Sequence, residues 1–513
     1  MAKGVVEKIL RHVPDLKRIY LLIRPRRRSG GSVVSAEERL EREVFQSTAF
    51  ARLRTLWGAD YGARMHQKVS AVAFDLTQGR LGIDAARYAQ MIQEVDIVLS
   101  IAATVTFDEP IDLALRVNTL GPQRIVEFAK ACRDAIFVHV STAYVNGQRT
   151  GRIPEALLPP DRSMAQIIGN GQASDYNLET EIESIQRFGR GVAEASRRQD
   201  LDEAFRRRLE RENRGKRVTE HRVAHQLEAL RTRWVQKRLV EEGMRRGRQL
   251  GWHDSYTLTK AMGEQVIVKC RGSLPTAIVR PSIIESSLQD PEPGWLDGLK
   301  VADPLINHFS KGRLPDFPAR PDIVVDVVPV DVVANAIIAI LPRVREEKEV
   351  KVYQVGTGSQ NPLRVQEMFD YIYEYFKKYP MRDRDGDPID VQPWHFHDPE
   401  ALLRRYRLKY RMPLNALRWA MDHVPVIPWS PRLRRKVSVR EATLDRVFSL
   451  IEIYSPYTRL ECIFETDNTR RAFDKLCPDD REIFNCDVTR IRWREYFQDI
   501  HVPGLKRHVL KTS

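Results

Sequence analysis

A hydroxyl, a phenol and an ammonium whose spacing fits carbonyl reduction stand in two separate parts of the sequence. Ser141 and Thr142 end the apolar stretch "AIFVHVST", and Tyr256 and Lys260 lie four residues apart in "SYTLTKAMGE". On a helix, this spacing places both side chains on one face. The ammonium would lower the pKa of the phenol, which could then protonate the oxygen that receives negative charge during hydride transfer. Thr142 would hold that oxygen by a hydrogen bond.

The Y-x-x-x-K spacing occurs twice, so the spacing alone does not identify the site. The second copy is Tyr373 and Lys377 in "YEYFK". It falls in an aromatic amphipathic helix with no Ser/Thr-ended strand leading to it, which favours core packing and a solvated lysine. We therefore predict Thr142, Tyr256 and Lys260 as the catalytic residues.

The elements that must position these residues are short apolar stretches that alternate with helical patterns. After an opening helix, the predicted strands are Ile19 to Ile23, Val69 to Phe74, Val95 to Ala103, Ala135 to Thr142 and Thr276 to Ser282. Helices are predicted between them, among them Ala114 to Ala131 and Ser255 to Lys269. Strands separated by helices predict an α/β fold with a doubly wound, parallel, Rossmann-type sheet whose ligand lies at the strands' carboxyl ends.

The alternation stops between residues 154 and 250, where the sequence becomes helical and basic. From Arg206 to Arg248, 15 lysines and arginines face 6 acidic residues, a net charge of +9. We predict four parts: residues 1–153, the first part of the dinucleotide-binding domain; residues 154–250, a helical basic insertion; residues 251–359, the second part with the catalytic helix; and residues 360–513, a mostly helical C-terminal domain.

The composition narrows the class of protein and its partners. The 513 residues are 42% hydrophobic and 30% charged, with a net charge of +14, and no stretch is apolar enough to span a membrane. Five cysteines without a C-x-x-C pair indicate neither disulfides nor a metal site and favour a reducing cytoplasm. No nucleic-acid-binding motif is present, so the basic insertion favours a solvated helix face, a phosphate-rich ligand or peripheral contact with an anionic membrane surface.

Several motifs in the same order resemble one enzyme family. These are "VSTAYVNG", "YTLTKAMGE", "IVRPSIIESSLQDPEPGWLDG" and "DVVPVDVVANAI", followed by the C-terminal "FETDNTRRAFDKL". Together they resemble the fatty acyl-CoA reductases of the male-sterility family, which are extended short-chain dehydrogenases, and the long bacterial alcohol-forming members most of all. The similarity covers nearly the whole chain.

The resemblance implies NADPH as the cofactor and assigns residues to it. Arg24, after the strand "IYLLI", stands where the family holds the 2′-phosphate, with Arg26 as a helper. The remaining positions that match the family's cofactor site are Asp75 and Leu76 at the adenine, Ala102 and Ala103 along the ribose, Asn118 as a support, Ser141, Tyr256 and Lys260 at the active site, and Pro281, Ser282 and Ile283 beside the nicotinamide.

The amino terminus departs from the family pattern. Relatives begin with a strand and a glycine-rich G-x-x-G-F-L-[GA]-K turn, and Met1-Ala2-Lys3 aligns with the last three positions of that turn. We therefore expect the sequence to be an amino-terminal truncation without the first strand and most of the turn. Because the turn's backbone N–H groups bind the pyrophosphate, this form is expected to bind NADPH poorly.

The resemblance implies reduction of long-chain acyl-CoA to the aldehyde and then to the alcohol. The basic insertion would meet the CoA phosphates, and the C-terminal domain would enclose the acyl chain. Two alternatives remain from the sequence: a nucleotide-sugar-modifying enzyme of the same fold, and a non-catalytic protein of the membrane surface.

Overall fold

A computed structural model of the chain describes residues 1–28, 31–169, 175–213, 218–299, 302–312, 316–383, 385–423 and 431–511. Up to residue 153, helices and strands alternate as predicted. The strands are β1 (Ile19–Ile23), β2 (Arg26–Arg27), β3 (Val33–Val34), β4 (Val69–Ala73), β5 (Ile97–Ser100), β6 (Ile136–Val140) and β7 (Gly151–Ile153). The α-helices are α1 (Ala2–His12), α2 (Ala36–Arg39), α3 (Ala51–Trp57), α4 (Tyr61–Lys68), α5 (Ala85–Glu94), α6 (Ile111–Ala114) and α7 (Leu120–Ala131).

The predicted insertion is helical, and the strand and helix pattern returns after it. The insertion contains α8 (Met164–Ile167), α9 (Leu178–Ala195), α10 (Gln199–Asn213) and α11 (Glu220–Gln249). Then come α12 (Ser255–Cys270), β8 (Thr276–Pro281), β9 (Ile283–Glu285), α13 (Asp303–Phe309), β10 (Asp316–Pro318), β11 (Val327–Pro329), α14 (Val330–Ile340) and β12 (Lys351–Val355).

The C-terminal part is mostly helical. It contains α15 (Val365–Lys378), β13 (His395–His397), α16 (Pro399–Tyr406), α17 (Met412–His423), α18 (Pro431–Tyr454), β14 (Cys462–Phe464), α19 (Asp467–Asp474), α20 (Pro478–Ile483), α21 (Trp493–Glu495) and α22 (Val502–Leu505). Short 3-10 or π-helical stretches lie at 40–45, 48–50, 58–60, 79–82, 115–119, 143–146, 341–343, 407–411, 488–490, 496–501 and 506–510. No helix of the described ranges is both long and apolar enough to cross a bilayer.

The strands expected to hold a dinucleotide are parallel, which confirms the predicted fold class. β5, β6, β8 and β12 form one sheet in the order β12-β8-β6-β5, and β1 pairs with β4 in a second sheet. β1 has the predicted bounds, and the other predicted strands are shorter than expected. Because the strands within each sheet run in one direction, their carboxyl ends lie at one edge of that sheet.

The catalytic helix α12 packs closely on the stretch between α6 and α7. Gly263 makes this possible, because a Cβ at that position would lie 2.2 Å from the carbonyl oxygen of Asn118. The approach buries Leu258, Ala261 and Met262 in one apolar cluster. Gly263, the glycine of "TKAMGE", therefore allows α12 to pack against the residues between α6 and α7.

Candidate active site

Thr142 and Tyr256 meet at the carboxyl end of β6. Thr142 accepts a hydrogen bond from the backbone N–H of Tyr144 at 3.3 Å, which caps the turn after the strand. Asp254 caps α12 by accepting from the N–H of Thr257 at 2.8 Å, so Tyr256 lies in the first turn of the helix. The hydroxyl of Thr142 lies close enough to the phenol of Tyr256 to lower the pKa of that phenol. Residues 114 positions apart in the sequence thus form one pair, as the carbonyl-reduction prediction requires.

Lys260 lies behind this pair and is buried. Its Nζ donates to the carbonyl oxygen of Val140 at 2.8 Å and lies 3.3 Å from Nε2 of His139. Burial lowers the pKa of Lys260 to about 8, and the charge of Glu264 acts in the opposite direction. Burial and the charge of Lys260 hold the pKa of His139 well below its usual value. His139 is therefore neutral near pH 7, and its Nε2 can accept from the ammonium.

The electrostatics of Tyr256 differ from the expectation. Burial raises the pKa of Tyr256 above its usual value, the nearby hydroxyl of Thr142 lowers it, and the charge of Asp254 raises it further. Lys260 is not among the groups that shift it, because its ammonium is turned toward the carbonyl of Val140. The phenol is therefore a protonated donor in this structure.

Asn118 links the strand-end loop after β5 to the catalytic helix. Its Oδ1 accepts from the N–H of Thr104 at 3.1 Å, and its Nδ2 donates to Oγ1 of Thr259 at 3.2 Å. Ala102 and Ala103 lie in that loop, Ala102 exposed and Ala103 half-buried. The predicted supporting role of Asn118 has this geometric basis.

The predicted adenine and phosphate residues come together at the ends of β1 and β4. Arg24 and Arg26 are exposed, and Arg26 lies 3.7 Å from Glu43. Hydrogen bonds from Thr77 lower the pKa of Asp75, with a contribution from the charge of Arg24. The carbonyl oxygen of Leu76 accepts from Arg124 at 2.6 Å. An exposed guanidinium near a fixed carboxylate suits a ribose phosphate and its sugar.

The residues after β8 lie beside the Thr142–Tyr256 pair. Thr142 Oγ1 is 3.5 Å from the carbonyl oxygen of Pro281. The N–H of Ser282 donates to the carbonyl oxygen of Val355 in β12, and that of Ile283 donates to the carbonyl oxygen of Asp326, directly before β11. The Oγ of Ser141 is buried without a hydrogen-bond partner among the described residues.

An aromatic wall around Tyr256 comes from residues that the sequence analysis missed. The ring of Phe107 lies 5.9 Å from that of Tyr256, 6.1 Å from that of Tyr454 and 5.0 Å from that of Tyr457. Tyr457 donates a hydrogen bond to the buried carboxylate of Asp254. Burial raises the pKa of Asp254 to about 6. The C-terminal part of the chain therefore completes the apolar side of the site.

Three ligand-type side chains lie together near this wall, although the sequence predicted no metal site. One ligand atom each of Glu285, Asp303 and His501 lies within 4.8 Å of the others, the one such group in the described ranges. Nδ1 of His501 is 3.0 Å from Oγ of Ser286, and Nε2 is 3.4 Å from Asp303. Burial and Asp303 raise the pKa of Glu285 to about 8. Burial lowers the pKa of His501, but the hydrogen bond with Asp303 and the charge of Glu285 raise it by more, so we interpret the group as an ion-pair network.

Comparisons with known proteins decide the family. The NAD-binding model described as "Male sterility protein" matches residues 1–337, and a second model of that description matches residues 432–512. "Fatty acyl-CoA reductase 2, chloroplastic" of Arabidopsis thaliana is 33% identical over 522 residues, which cover 100% of this chain and 77% of the relative. The chain belongs to the fatty acyl-CoA reductase family. The predicted resemblance to this family is thereby confirmed, whereas the expected closeness to its long bacterial members stays a prediction.

Other fatty acyl-CoA reductases match over the same length. "Alcohol-forming fatty acyl-CoA reductase" of Simmondsia chinensis is 30% identical over 517 residues, covering 99% of this chain and 95% of the relative. "Fatty acyl-CoA reductase 1" of Rattus norvegicus is 26% identical over 517 residues, covering 100% of this chain and 83% of the relative. The alignments therefore include the C-terminal part that carries Tyr454 and Tyr457.

Solved structures share the fold of this fatty acyl-CoA reductase family member. The "reductase (R) domain of nonribosomal peptide synthetase from Mycobacterium tuberculosis" has a TM-score of 0.53 at 18% identity and covers 98% of this chain and 88% of that one. The "terminal R domain from the myxalamid PKS-NRPS biosynthetic pathway" has a TM-score of 0.52 at 14% identity, covering 99% and 88%. With the NAD-binding family match, this fold indicates a nicotinamide cofactor.

Proposed function

We propose that the chain reduces long-chain fatty acyl-CoA to the aldehyde and then to the alcohol, with NADPH as the hydride donor. The observation that carries the proposal is the proximity of the Thr142 hydroxyl to the phenol of Tyr256 at the carboxyl end of β6, with the buried Lys260 behind them. The family supplies the substrate class, since the full-length relatives are fatty acyl-CoA reductases. The domain boundaries at residues 153, 250 and 359 and the catalytic roles of these side chains are part of the proposal.

The residues present fit a dinucleotide along the strand ends. Arg24 is exposed near Asp75 and would hold the 2′-phosphate, with Arg26 beside it. Ser141 offers a buried hydroxyl that has no partner in the described part of the chain. Leu76, Ala102, Ala103, Pro281, Ser282 and Ile283 would line the adenine, ribose and nicotinamide. NADPH, when bound, supplies the hydride for each reduction.

The side chains would then control the charge on the substrate oxygen. In the first reduction, the hydroxyls of Thr142 and Tyr256 hold the oxygen of the tetrahedral hemithioacetal, whose C–S bond breaks to release CoA thiol and aldehyde. In the second, Tyr256 gives its proton to the alkoxide that becomes the alcohol. The ammonium of Lys260 holds the carbonyl oxygen of Val140 at the end of β6 and would contact the cofactor ribose from there.

The two ends of the substrate have separate environments. The aromatic wall of Phe107, Tyr454 and Tyr457 suits the apolar acyl chain. A cavity of about 310 Å³ lies between α6 and the insertion, and Arg116, Arg197 and Arg231 are among its lining residues. Guanidinium groups there suit the CoA phosphates.

The proposal is tested by NADPH oxidation and product analysis on the full chain. Incubation with a long-chain acyl-CoA is expected to consume NADPH and release free thiol, with fatty alcohol as the product found by gas chromatography. UDP-sugars should give no turnover. Turnover of a UDP-sugar but not of acyl-CoA would favour the nucleotide-sugar alternative, and no NADPH oxidation with either would favour the non-catalytic one.

We expect Arg24→Ala to reduce the preference for NADPH over NADH. Arg24 is exposed at the carboxyl end of β1, where a guanidinium can contact a 2′-phosphate that NADH lacks. The ratio of kcat/KM for NADPH to that for NADH should fall at least about tenfold, as expected for a lost charge-assisted hydrogen bond. Lys17→Ala removes an exposed cation at the other end of the same strand and should leave the ratio unchanged. An unchanged ratio in Arg24→Ala would remove Arg24 from the cofactor site.

We also expect kcat/KM for NADPH to fall as the pH rises through about 8. Burial lowers the pKa of Lys260 to about 8, so the ammonium predominates only below that pH in the free enzyme. Glu285 also titrates near pH 8. The variant Glu285→Gln is therefore the control, and the alkaline fall should persist in it. A profile that stays flat to pH 10, or a fall that disappears in Glu285→Gln, would contradict the role of Lys260.

A further inference from the structure

The exposed apolar side chains of the chain are concentrated in one region. Of the eleven large hydrophobic side chains exposed in the described residues, five lie between residues 408 and 439. They are Leu408, Tyr410, Met412, Trp419 and Val439, and Leu408, Met412 and Trp419 are 59%, 60% and 61% exposed. Single exposed apolar residues are ordinary, but a cluster of this kind indicates an interaction surface.

The same region is strongly basic. Residues 404–440 contain eleven lysines and arginines and one aspartate, a net charge of +10 in a chain of +14. Arg404, Arg405, Arg407 and Lys409 are exposed, and no carboxylate of the described ranges forms an ion pair with them. We call these cations and the five apolar side chains the basic apolar surface.

The basic insertion differs from the basic apolar surface in its exposed apolar side chains and in the pairing of its cations. Its helix α11 contributes none of the exposed large hydrophobic side chains. Its cations are largely paired within the protein: Arg231 with Asp202, Arg245 with Glu242, and Arg246 with Glu181. The insertion therefore has charge without apolar anchors, and much of that charge is already neutralised locally.

The helices of the basic apolar surface pack side by side and lead to the candidate active site. Arg418 of α17 pairs with Glu441 of α18 at 2.7 Å, and the guanidinium of Arg411 lies 5.3 Å from the ring centre of Phe448. α18 ends at Tyr454, which contacts Phe107 of the aromatic wall. At 1.5 Å per residue, Val439 lies about 22 Å along the helix from Tyr454.

We propose that the basic apolar surface docks on an anionic lipid bilayer, with its apolar side chains in the interface and its cations at the headgroups. Cationic and apolar side chains on one surface are the combination that binds the boundary of an anionic membrane. If two copies of the chain met through this surface, two regions that each carry a net charge of +10 would face each other. Their repulsion disfavours self-association. Nucleic acid would match the charge but would offer no apolar phase to Leu408 and Met412.

This docking would place the substrate site near the membrane. Long-chain acyl thioesters and fatty alcohols partition into bilayers because each buried methylene favours the apolar phase. α18 would then connect the docked surface to the aromatic wall of the site. This consequence rests on the proposed function, whereas docking itself is independent of turnover.

The test is co-sedimentation of the full chain with phosphatidylcholine vesicles that contain or lack phosphatidylserine. Wild-type chain should sediment with the phosphatidylserine vesicles and only weakly without that lipid. Leu408→Ser/Met412→Ser/Trp419→Ser removes the apolar anchors, and Arg404→Gln/Arg405→Gln/Lys409→Gln removes three charges. Each triple variant is expected to bind at least about tenfold more weakly. The control Arg233→Gln/Lys237→Gln/Arg238→Gln removes three exposed charges from α11 and should bind within about threefold of wild type.

Several results would overturn the proposal. They are no binding of the wild type to phosphatidylserine vesicles, an equal loss in the α11 control, or unchanged vesicle binding in both surface variants. A dimer in analytical ultracentrifugation that the apolar variant abolishes, without vesicle binding, would assign the surface to self-association. Loss of DNA binding with retained vesicle binding would assign it to nucleic acid.

Folding and activity controls keep this test separate from the proposed function. Thermal unfolding would show that each variant is folded, and turnover of a short-chain, water-soluble acyl-CoA should be unchanged in the two triple variants of the basic apolar surface. Vesicle binding by a chain without reductase activity would refute only the proposed function. Reductase activity without vesicle binding would refute only the docking.

Discussion

Tyr256→Phe is expected to lower acyl-CoA-dependent NADPH oxidation by about 10²- to 10⁴-fold, the usual range for loss of a general acid. The substitution removes the hydroxyl that lies near Thr142 but keeps the ring, whose centre is 5.9 Å from that of Phe107. Because the structure holds the phenol protonated, the lost group is a proton donor. The rate should be measured at saturating NADPH, with thermal unfolding as a check on the fold.

The second Y-x-x-x-K copy supplies the matched control. Tyr373 lies in α15, where it is partly buried against the apolar core, and Lys377 pairs with Asp390 at 2.8 Å. Tyr373→Phe is therefore expected to keep turnover within a few-fold of wild type. Near-normal activity in Tyr256→Phe combined with lost activity in Tyr373→Phe would transfer the catalytic role to α15.

The local part of the candidate site could be predicted from the sequence. The strand ending at Thr142 and the helix beginning at Ser255 follow from hydrophobic periodicity, and the order of strands and helices places their ends together. The structure brings Thr142 to Tyr256 and Arg24 to Asp75 as that order requires. Each of these pairs joins elements whose ends the hydrophobic pattern of the sequence predicts.

The rest of the site depends on packing between distant parts of the chain. Tyr457 is 201 positions after Tyr256 in the sequence, and the aromatic stretch that contains it has no spacing that relates it to the catalytic helix. The sequence analysis was also wrong about Lys260, which it expected to lower the pKa of the Tyr256 phenol. Helical spacing indicates which face a lysine occupies, but its long side chain can reach a strand carbonyl instead. The grouping of Glu285, Asp303 and His501 likewise arises only when the C-terminal part folds onto the sheet.

The ion pair between Arg280 and Glu264 fixes the catalytic helix to the sheet, and its loss is expected to destabilise the protein strongly. Nη2 of Arg280 lies 2.6 Å from Oε2 of Glu264, and both side chains are fully buried, at 0% and 1% exposure. Arg280 also donates to the carbonyl oxygen of Ala156 at 2.9 Å. This pair therefore joins β8, α12 and the start of the insertion.

Glu264→Gln should lower the free energy of unfolding by about 3–5 kcal/mol, because it leaves a buried guanidinium without a counter-charge. The control Glu465→Gln breaks the exposed pair with Arg152, which is 2.9 Å long, and should cost less than about 1 kcal/mol. Urea unfolding of the full chain measures both. Equal, small losses would show that the Arg280–Glu264 pair does not hold the helix in place.

Glu264→Gln should also move the alkaline fall of kcat/KM for NADPH to lower pH. The charge of Glu264 raises the pKa of Lys260 against the larger effect of burial, so its removal lowers that pKa below about 8. Lys260 would then lose its proton at a lower pH, and kcat/KM for NADPH would fall at that lower pH. The pH dependence would be measured in the folded fraction, below the unfolding midpoint of the variant. A fall at unchanged pH in a folded Glu264→Gln variant would mean that a group other than Lys260 controls the alkaline limb.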